Sequence, residues 1–214
     1  MSAHSGYADA VPARHERAEP LPADDRRRAI VEAVIPLLLE KGPAVTTREM
    51  AEAAGIAEGT IFRVFPDKTS VIHDAVKATM DPDQIERAIS AIPAMAPLAD
   101  QLEAAARILV ERSERIAALI GVLHASGSHA DGPPSGARQY VLDANTAILN
   151  ALTRLFEENR DEIRVSPHRA AVAFRGFVFA SAHPLVSSNE KPSLQESVEV
   201  LMNGIASPTK NGVG

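Results

Sequence analysis

The side chains best suited to bind phosphate lie in one segment, TTREMAEAAGIAEGTIFRVFPDK, which spans residues 46–68. Thr46 and Thr47 stand where a helix would begin, and the free backbone N–H groups of a helix N-terminus bind phosphate. Arg63 carries a guanidinium that suits either bidentate contact with guanine or contact with a phosphate. Lys68 adds a point charge just beyond. These residue types predict contact with a phosphate-bearing polymer.

Two short helices joined by a tight turn must position these side chains. Thr46 and Glu49 match the capping box S/T-x-x-E, which predicts the start of the first helix. Gly55 ends that helix, because glycine adopts the left-handed cap conformation at low cost. A second helix is predicted at about residues 57–65 and is stopped by Pro66. Two short helices joined by a Gly-containing turn form a helix-turn-helix.

A helix-turn-helix places its second helix in the DNA major groove while its first helix crosses the backbone. Ala51 is small enough to let the two helices cross closely, and Ile61 and Phe65, four residues apart, face the core. The outward side of the second helix then consists of Glu58, Gly59, Thr60, Arg63 and part of Val64. The pattern predicts a surface that reads DNA.

Residues 26–76 resemble the DNA-binding domain of the tetracycline-repressor (TetR) family of bacterial transcriptional regulators. The preceding helix ends in Glu40-Lys41-Gly42, and the most specific part is GIAEGTIFRVFPDK, with its aromatic-x-x-aromatic-x-x-Lys spacing. The matching residues are Thr47, Ala51, Gly55, Gly59, Thr60, Ile61, Phe62, Phe65 and Lys68.

The resemblance implies a role for several residues. Thr47 and Lys68 would contact phosphates, Arg48 would lie near the groove edge, and the residues facing the DNA would be Glu58, Gly59, Thr60 and Arg63. Phe62 stands where the family usually has a tyrosine, so one phosphate contact is lost. Val64 offers only apolar contact, for example with a thymine methyl group. The resemblance also implies a homodimer that presents two reading helices.

Composition excludes several other classes of protein. The 214 residues include no cysteine, so a disulfide framework, a thiolate metal site and a thiol nucleophile are absent, and a cytoplasmic location is expected. No apolar run approaches the roughly 18 residues of a membrane span, and the N-terminal residues lack the apolar stretch of a secretory signal. Abundant Ala, Leu, Glu and Arg, with 4% aromatic residues, predict an all-α chain.

The expected architecture is a three-helix head on a larger helical bundle. We predict a disordered arm at residues 1–23, a helix-turn-helix DNA-binding domain at 24–70, a ligand-binding and dimerisation domain at 71–207 and a flexible tail at 208–214. Pro36 predicts a kink in the first helix. A break near Ser113 is one option for the longest apolar helix, and GSHADGPPSG at 127–136 predicts a mobile loop.

The helix predicted at residues 168–186 is nearly all apolar, so water cannot favourably cover any side of it. Together with the last helix it predicts a four-helix interface between two copies of the chain. Gly176 and Ala180, four residues apart, would let two helices approach closely. The predicted interface residues are Phe174, Gly176, Phe177, Val178, Ala180, Leu194, Val198, Leu201, Met202 and Ile205.

The stretch between Asp81 and Asp161 exceeds what DNA reading and dimerisation require, and its small side chains leave room for a cavity. We expect a mainly apolar small-molecule pocket. The polar groups that could orient a ligand there are His124, Tyr140, Asn145 and Arg175. Arg175 interrupts an apolar helix, so both pairing with a carboxylate and contact with an acidic ligand stay open.

No catalytic motif accompanies these features: G-x-S-x-G, a phosphate-cradling Gly loop and H-E-x-x-H do not occur. His124, His129 and Asp131 would be the residues of a metal sensor, but they lack the usual ligand spacing. We therefore predict no enzyme activity, no metal and no cofactor.

Two functions stay open. The first is a transcriptional regulator that binds double-stranded operator DNA, most simply a repressor released by a small apolar or weakly acidic effector. The second is a helical ligand-binding or scaffold protein whose helix-turn-helix does not bind DNA. Residues 24–70 carry seven basic and eight acidic side chains, which is not the strongly basic balance of an easily recognised DNA-binding domain.

Overall fold

A computed structural model of the chain describes residues 22–127, 137–182 and 193–205. These residues form an all-α fold, and no strand occurs among them. The helices are α1 (Ala23–Lys41), α2 (Thr47–Ala53), α3 (Glu58–Val64), α4 (Lys68–Thr79), α5 (Pro82–Ser90), α6 (Leu98–Ala125), α7 (Ala137–Glu158), α8 (Pro167–Ala182) and α9 (Leu194–Ile205). Short 3-10 turns lie at Gly42–Ala44 and Arg160–Glu162.

Helices α1–α4, called the head below, pack around one cluster of buried apolar side chains. Ile61 of α3 and Phe65, the C-cap residue of α3, lie in this cluster. They have 0% and 1% of their surface exposed, as their spacing predicts. Val71 and Ile72 of α4 are also buried there, so the cluster reaches past residue 70. The C-terminal half of α6 completes it with buried apolar side chains, Leu119 and Val122.

A second cluster is surrounded by the body, which is defined as helices α5, α7, α8 and α9 together with the N-terminal half of α6. Phe156 of α7 meets Phe174 of α8 edge to face, with ring centroids 6.1 Å apart. Gln101 and Asn159 form a buried amide pair beside this cluster, in which Asn159 Nδ2 donates to Gln101 Oε1 at 3.1 Å. Gln101 Nε2 also donates to the backbone carbonyl of Ala96 at 2.7 Å.

The long helices are continuous where the sequence contains potential breaks. Helix α1 continues through Pro36, whose ring lies on the exposed side. The break considered near Ser113 does not occur, because α6 runs unbroken over 28 residues and the Ser113 hydroxyl donates within the helix to the Leu109 carbonyl at 2.8 Å. The predicted arm, most of the 127–136 loop and the 208–214 tail lie outside the described residues.

Candidate nucleic-acid interface and ligand cavity

The N-terminus of α2 is held by the predicted capping box. The Thr46 hydroxyl accepts a hydrogen bond from Glu49 N at 3.2 Å, and Thr46 N donates to Glu49 Oε2 at 2.8 Å. Lys41 Nζ at the end of α1 donates to Glu49 Oε1 at 2.8 Å. The Lys41 ammonium and the Thr46 donors lower the pKa of Glu49 to about 2. The cap therefore fixes α2 against the end of α1.

The turn between α2 and α3 follows the predicted geometry. Gly55 has a φ of 66°, in the left-handed region, and Ile56 N donates to the Ala51 carbonyl at 2.9 Å. Ala51 is 2% exposed, so its small side chain is packed in the core of the head. The helix-turn-helix is thus built from local sequence signals.

The outward side of α3 carries most of the residues that the sequence assigned to DNA. Glu58, Gly59 and Arg63 are exposed, whereas Thr60 and Val64 are half-buried. Phe62, placed one position before Arg63, has 53% of its surface exposed. An exposed phenylalanine on this face is available for apolar contact, but its ring offers no hydroxyl to a phosphate.

Thr47 and Glu58, which begin α2 and α3, are joined directly. The Thr47 hydroxyl donates to Glu58 Oε1 at 2.6 Å. A phosphate contact by this hydroxyl would therefore place the phosphate beside a carboxylate. The sequence pattern did not reveal this pair, because eleven residues and the turn separate its members.

Arg27 of α1 fixes the C-terminal end of α3 through three contacts. It forms an ion pair with Asp74 of α4, and its Nη1 donates to the Val64 carbonyl at 3.0 Å. Its guanidinium also lies 4.4 Å from the centre of the Phe65 ring. Arg27 therefore positions the proposed reading helix.

Several other cations of the head are paired with carboxylates or carbonyls. Arg28 pairs with Asp25, Lys41 with Glu49 and Arg48 with Glu52, and Lys68 Nζ donates to the Pro43 carbonyl at 2.7 Å. Arg63 makes no hydrogen bond or ion pair with any residue that the structure describes. The exposed guanidinium of Arg63 is thus free to bind another molecule, and the ammonium of Lys68 keeps two donors.

A cavity of about 410 Å³ lies in the body between α6, α7 and α8. Its lining is mainly apolar and includes Met80, the C-cap of α4. Two of the four predicted ligand residues, Asn145 and Arg175, line this cavity. His124 lies exposed near the end of α6 and Tyr140 lies under the ammonium of Lys77, so neither of them lines it.

Arg175, for which the sequence left open both pairing with a carboxylate and contact with an acidic ligand, is not deeply buried. It is partly exposed, and its Nη1 donates to the amide oxygen Oδ1 of Asn145 at 3.3 Å. Arg112 of α6, in contrast, is buried: it has 8% of its surface exposed and lines the same cavity. Arg112 continues the core row of α6 formed by Leu102, Ala105, Leu109, Ile116 and Leu119, at alternating spacings of three and four. This spacing along α6 is the feature of the sequence that could have predicted the burial of Arg112.

Comparison with known proteins bears directly on the head. The family model described as "Bacterial regulatory proteins, tetR family" matches residues 30–75. This segment of the chain is therefore similar to proteins of the TetR family. Regulators of the family bind operator DNA, are generally dimeric and respond to small-molecule effectors.

Solved structures of TetR-family proteins share the whole fold. A protein from Mesorhizobium loti MAFF303099, described as a TetR-family transcriptional regulator, is 20% identical, with a TM-score of 0.58 over 88% of this chain and 100% of that one. The TetR transcriptional regulator SCO0520 from Streptomyces coelicolor is 22% identical, with a TM-score of 0.56 over 86% of this chain and 99% of that one. The TetR-like architecture therefore extends through the body.

The predicted dimer residues divide into two groups. Phe174, Val178 and Val198 are buried in the core of their own chain, so they are not available to a partner in this structure. The second group is accessible: Gly176 is exposed, and five further predicted residues are half-buried. The side chain of Ile205 lies outside the described part of the chain. The half-buried members are Phe177, Ala180, Leu194, Leu201 and Met202. The exposed apolar side chains of α8 and α9 are instead Val172, Phe179 and Val200.

The part of the chain that the structure describes contains neither a cluster of metal ligands nor a membrane-spanning helix. No group of three or more His, Asp or Glu side chains there could hold a metal ion, and His129 and Asp131 lie outside it. No described helix combines the length and the apolar character needed to cross a bilayer.

Proposed function

We propose that this chain is a ligand-responsive transcriptional regulator that binds operator DNA as a homodimer and acts as a repressor released by a small effector. The single observation that carries the DNA-binding part is the exposed guanidinium of Arg63 on α3, which pairs with none of the residues that the structure describes. Arg27, Ile61 and Phe65 hold α3 rigidly behind it. Rigid support matters because a base contact depends on the geometry of both hydrogen bonds.

Helix α4 supplies the connection between DNA binding and the cavity. Its Asp74 pairs with Arg27, which holds the end of α3, while Met80 at its C-cap lines the cavity. A ligand that displaces Met80 would therefore act on the helix that supports the reading head. For release, the ligand must bind more tightly to the state in which the two heads are wrongly spaced for DNA.

The outward side of α8 supports a dimer. Val172, Gly176 and Phe179 follow one another at spacings of four and three, so they lie on one face. All three are exposed, and a Cβ added at Gly176 would meet nothing within 4 Å. A face with two exposed apolar residues around a glycine suits close packing of α8 against α8 of a second copy.

Fluorescence anisotropy with duplexes from the protein's own promoter region tests the proposal. We expect a duplex bound in preference to a shuffled duplex of the same composition. Arg63→Ala should weaken that binding by about 1–3 kcal/mol and relax the preference at one base pair. Arg107→Ala, an exposed arginine on α6 paired with Glu103, serves as the matched control and should have no effect.

The alternative function makes the opposite prediction. A helical ligand-binding or scaffold protein would bind no promoter fragment even at low salt, where phosphate contacts are strongest. Equal affinity of the wild type and of Arg63→Ala for every duplex would also contradict the assignment of α3 as the reading helix.

A further inference from the structure

Arg112 is a buried charge without a hydrogen-bond partner at one of its nitrogens. The residue has 8% of its surface exposed, and its Nη1 makes no hydrogen bond within the part of the chain that the structure describes. Burial lowers the pKa of its guanidinium, opposed in part by the carboxylate of Asp81. An arginine nevertheless stays charged in proteins, so this side chain carries a positive charge into an apolar environment.

A buried charge without its partner is costly, so its presence requires an explanation. Replacing such a group by an apolar one of similar size is often neutral or stabilising. Arg112 occupies a position in the core row of α6 where its neighbours in the row are Leu109 and Ile116. Packing alone would be satisfied there by an apolar side chain.

The cavity supplies the explanation, because Arg112 and Arg175 both line it. Arg175 extends from α8, and the amide oxygen of Asn145 accepts from its Nη1. Its other N–H groups remain for a ligand, since a guanidinium has five donors in a fixed fork. The charge of Asp81 offsets part of this positive charge, so the region favours a ligand with one negative charge.

The rest of the lining is mostly apolar and includes Leu109, Ile116, Ile148 and Phe179. A volume of about 410 Å³ lies within the range of small-molecule sites. We propose that the cavity binds an organic carboxylate with an apolar body, and that Arg112 and Arg175 bind the carboxylate group. The inference rests on the proposed function, of which it names the effector chemistry.

Calorimetry without DNA tests this chemistry with two apolar bodies. The octyl series comprises octanoate, octan-1-ol, octylamine and octyl phosphate, and the aromatic series comprises 2-naphthoate, 2-naphthalenemethanol and 2-naphthylmethylamine. In at least one series the carboxylate should bind about tenfold or more tightly than the alcohol, since a charge-assisted hydrogen bond contributes about 1.5–3 kcal/mol. The amine should bind most weakly.

Two matched substitutions assign the binding to the arginines. Arg112→Met should abolish the preference for the carboxylate over the alcohol and raise the Tm of the free protein, because it removes an unpaired buried charge. Arg112→Lys should keep part of the preference, and Arg107→Met should change neither quantity. Arg175→Met should reduce the preference without raising the Tm, because Arg175 is partly exposed.

Several outcomes would overturn the inference. These are no binding by any carboxylate up to about 1 mM, equal affinity of carboxylate and alcohol, tighter binding of octyl phosphate than of octanoate, or a lower Tm for Arg112→Met. Failure of the proposed regulation gives a different result: carboxylates bind through the two arginines, yet saturating carboxylate leaves the affinity for promoter DNA unchanged.

Discussion

The hydroxyl of Thr47 donates a 2.6 Å hydrogen bond to a carboxylate oxygen of Glu58, and this bond joins the first residues of α2 and α3. Thr47 is expected to contact a phosphate and Glu58 is expected to face the DNA, so a negative charge stands next to a group expected to contact phosphate. The free head therefore carries a built-in electrostatic penalty against DNA at this point.

Glu58→Gln should increase the affinity for DNA. The amide removes the negative charge and keeps an oxygen that accepts from the Thr47 hydroxyl. We expect tighter binding to all duplexes, most clearly at low salt, with little change in sequence preference. Anisotropy titrations at two salt concentrations measure this, with Glu32→Gln on the exposed part of α1 as the control. Weaker binding of Glu58→Gln would mean that Glu58 itself contacts a base.

Lys68→Ala should weaken binding to every duplex by a similar factor. Its ammonium already donates to the Pro43 carbonyl, and its two other donors suit a phosphate. The slope of log affinity against log salt should become less steep by about one ion. The total slope should be small, because Arg27, Arg28, Lys41 and Arg48 are paired within the head. A change confined to one base position would contradict a phosphate contact.

Gly176→Leu should convert a dimer into monomers. A Cβ added at this position meets nothing within 4 Å in the protomer, so we expect the fold to be kept while close approach of two α8 helices is blocked. Light scattering at micromolar concentration should give about twice 22.8 kDa for the wild type and 22.8 kDa for the variant. Gly121→Leu on α6, which is equally exposed and open, is the control. A wild-type mass of 22.8 kDa would refute the dimer.

Glu49→Gln should lower the Tm at neutral pH by an amount that shrinks in acid. The folded pKa of about 2 lies below the ordinary value of 4.5, so the stabilisation is complete above pH 4.5 and is lost as the pH falls towards 2. Thermal melts at pH 7, 4 and 3 should show the gap between wild type and variant closing. Glu52→Gln, in an exposed pair with Arg48, should have little effect at any pH. A gap that is constant with pH would contradict the role of the carboxylate charge.

Asn159→Leu should destabilise the body by about 1–3 kcal/mol, because it leaves Gln101 Oε1 buried without a donor. Adding Gln101→Leu should cost less than the sum of the two single changes, since the two amides share one bond. Chemical denaturation measures these differences. Asn150→Leu, on the exposed side of α7, should stay within about 0.5 kcal/mol of the wild type. Full additivity would show that the amides do not act together.

Local signals predicted the head well, because its cap, turn and buried face depend on residues within four positions of each other. The capping box at Thr46, the left-handed Gly55 and the burial of Ile61 and Phe65 all follow from such spacing. The contacts that orient α3 were not predictable in this way. Arg27 reaches residues 37 and 47 positions away, and only the folded chain brings them together.

The sequence predicted a mainly apolar cavity, but only two of the four predicted polar residues line it. Small side chains between residues 81 and 161 indicated free space, and Asn145 and Arg175 do line it. Tyr140 instead meets Lys77 and does not line the cavity. Arg112 was missed because a charged side chain is ordinarily assigned to the surface, although its register on α6 places it in the core row.

Leu119 and Val122 of α6 fill the core of the head, so the reading unit is not a contiguous piece of sequence. Exchanging heads between regulators by joining two genes near residue 80 would pair each head with a foreign α6 and leave cavities or clashes in its core. A working hybrid must carry the C-terminal half of α6 along with the head. The same constraint acts on evolution: substitutions at the end of α6 must suit the DNA-binding unit as well as the body.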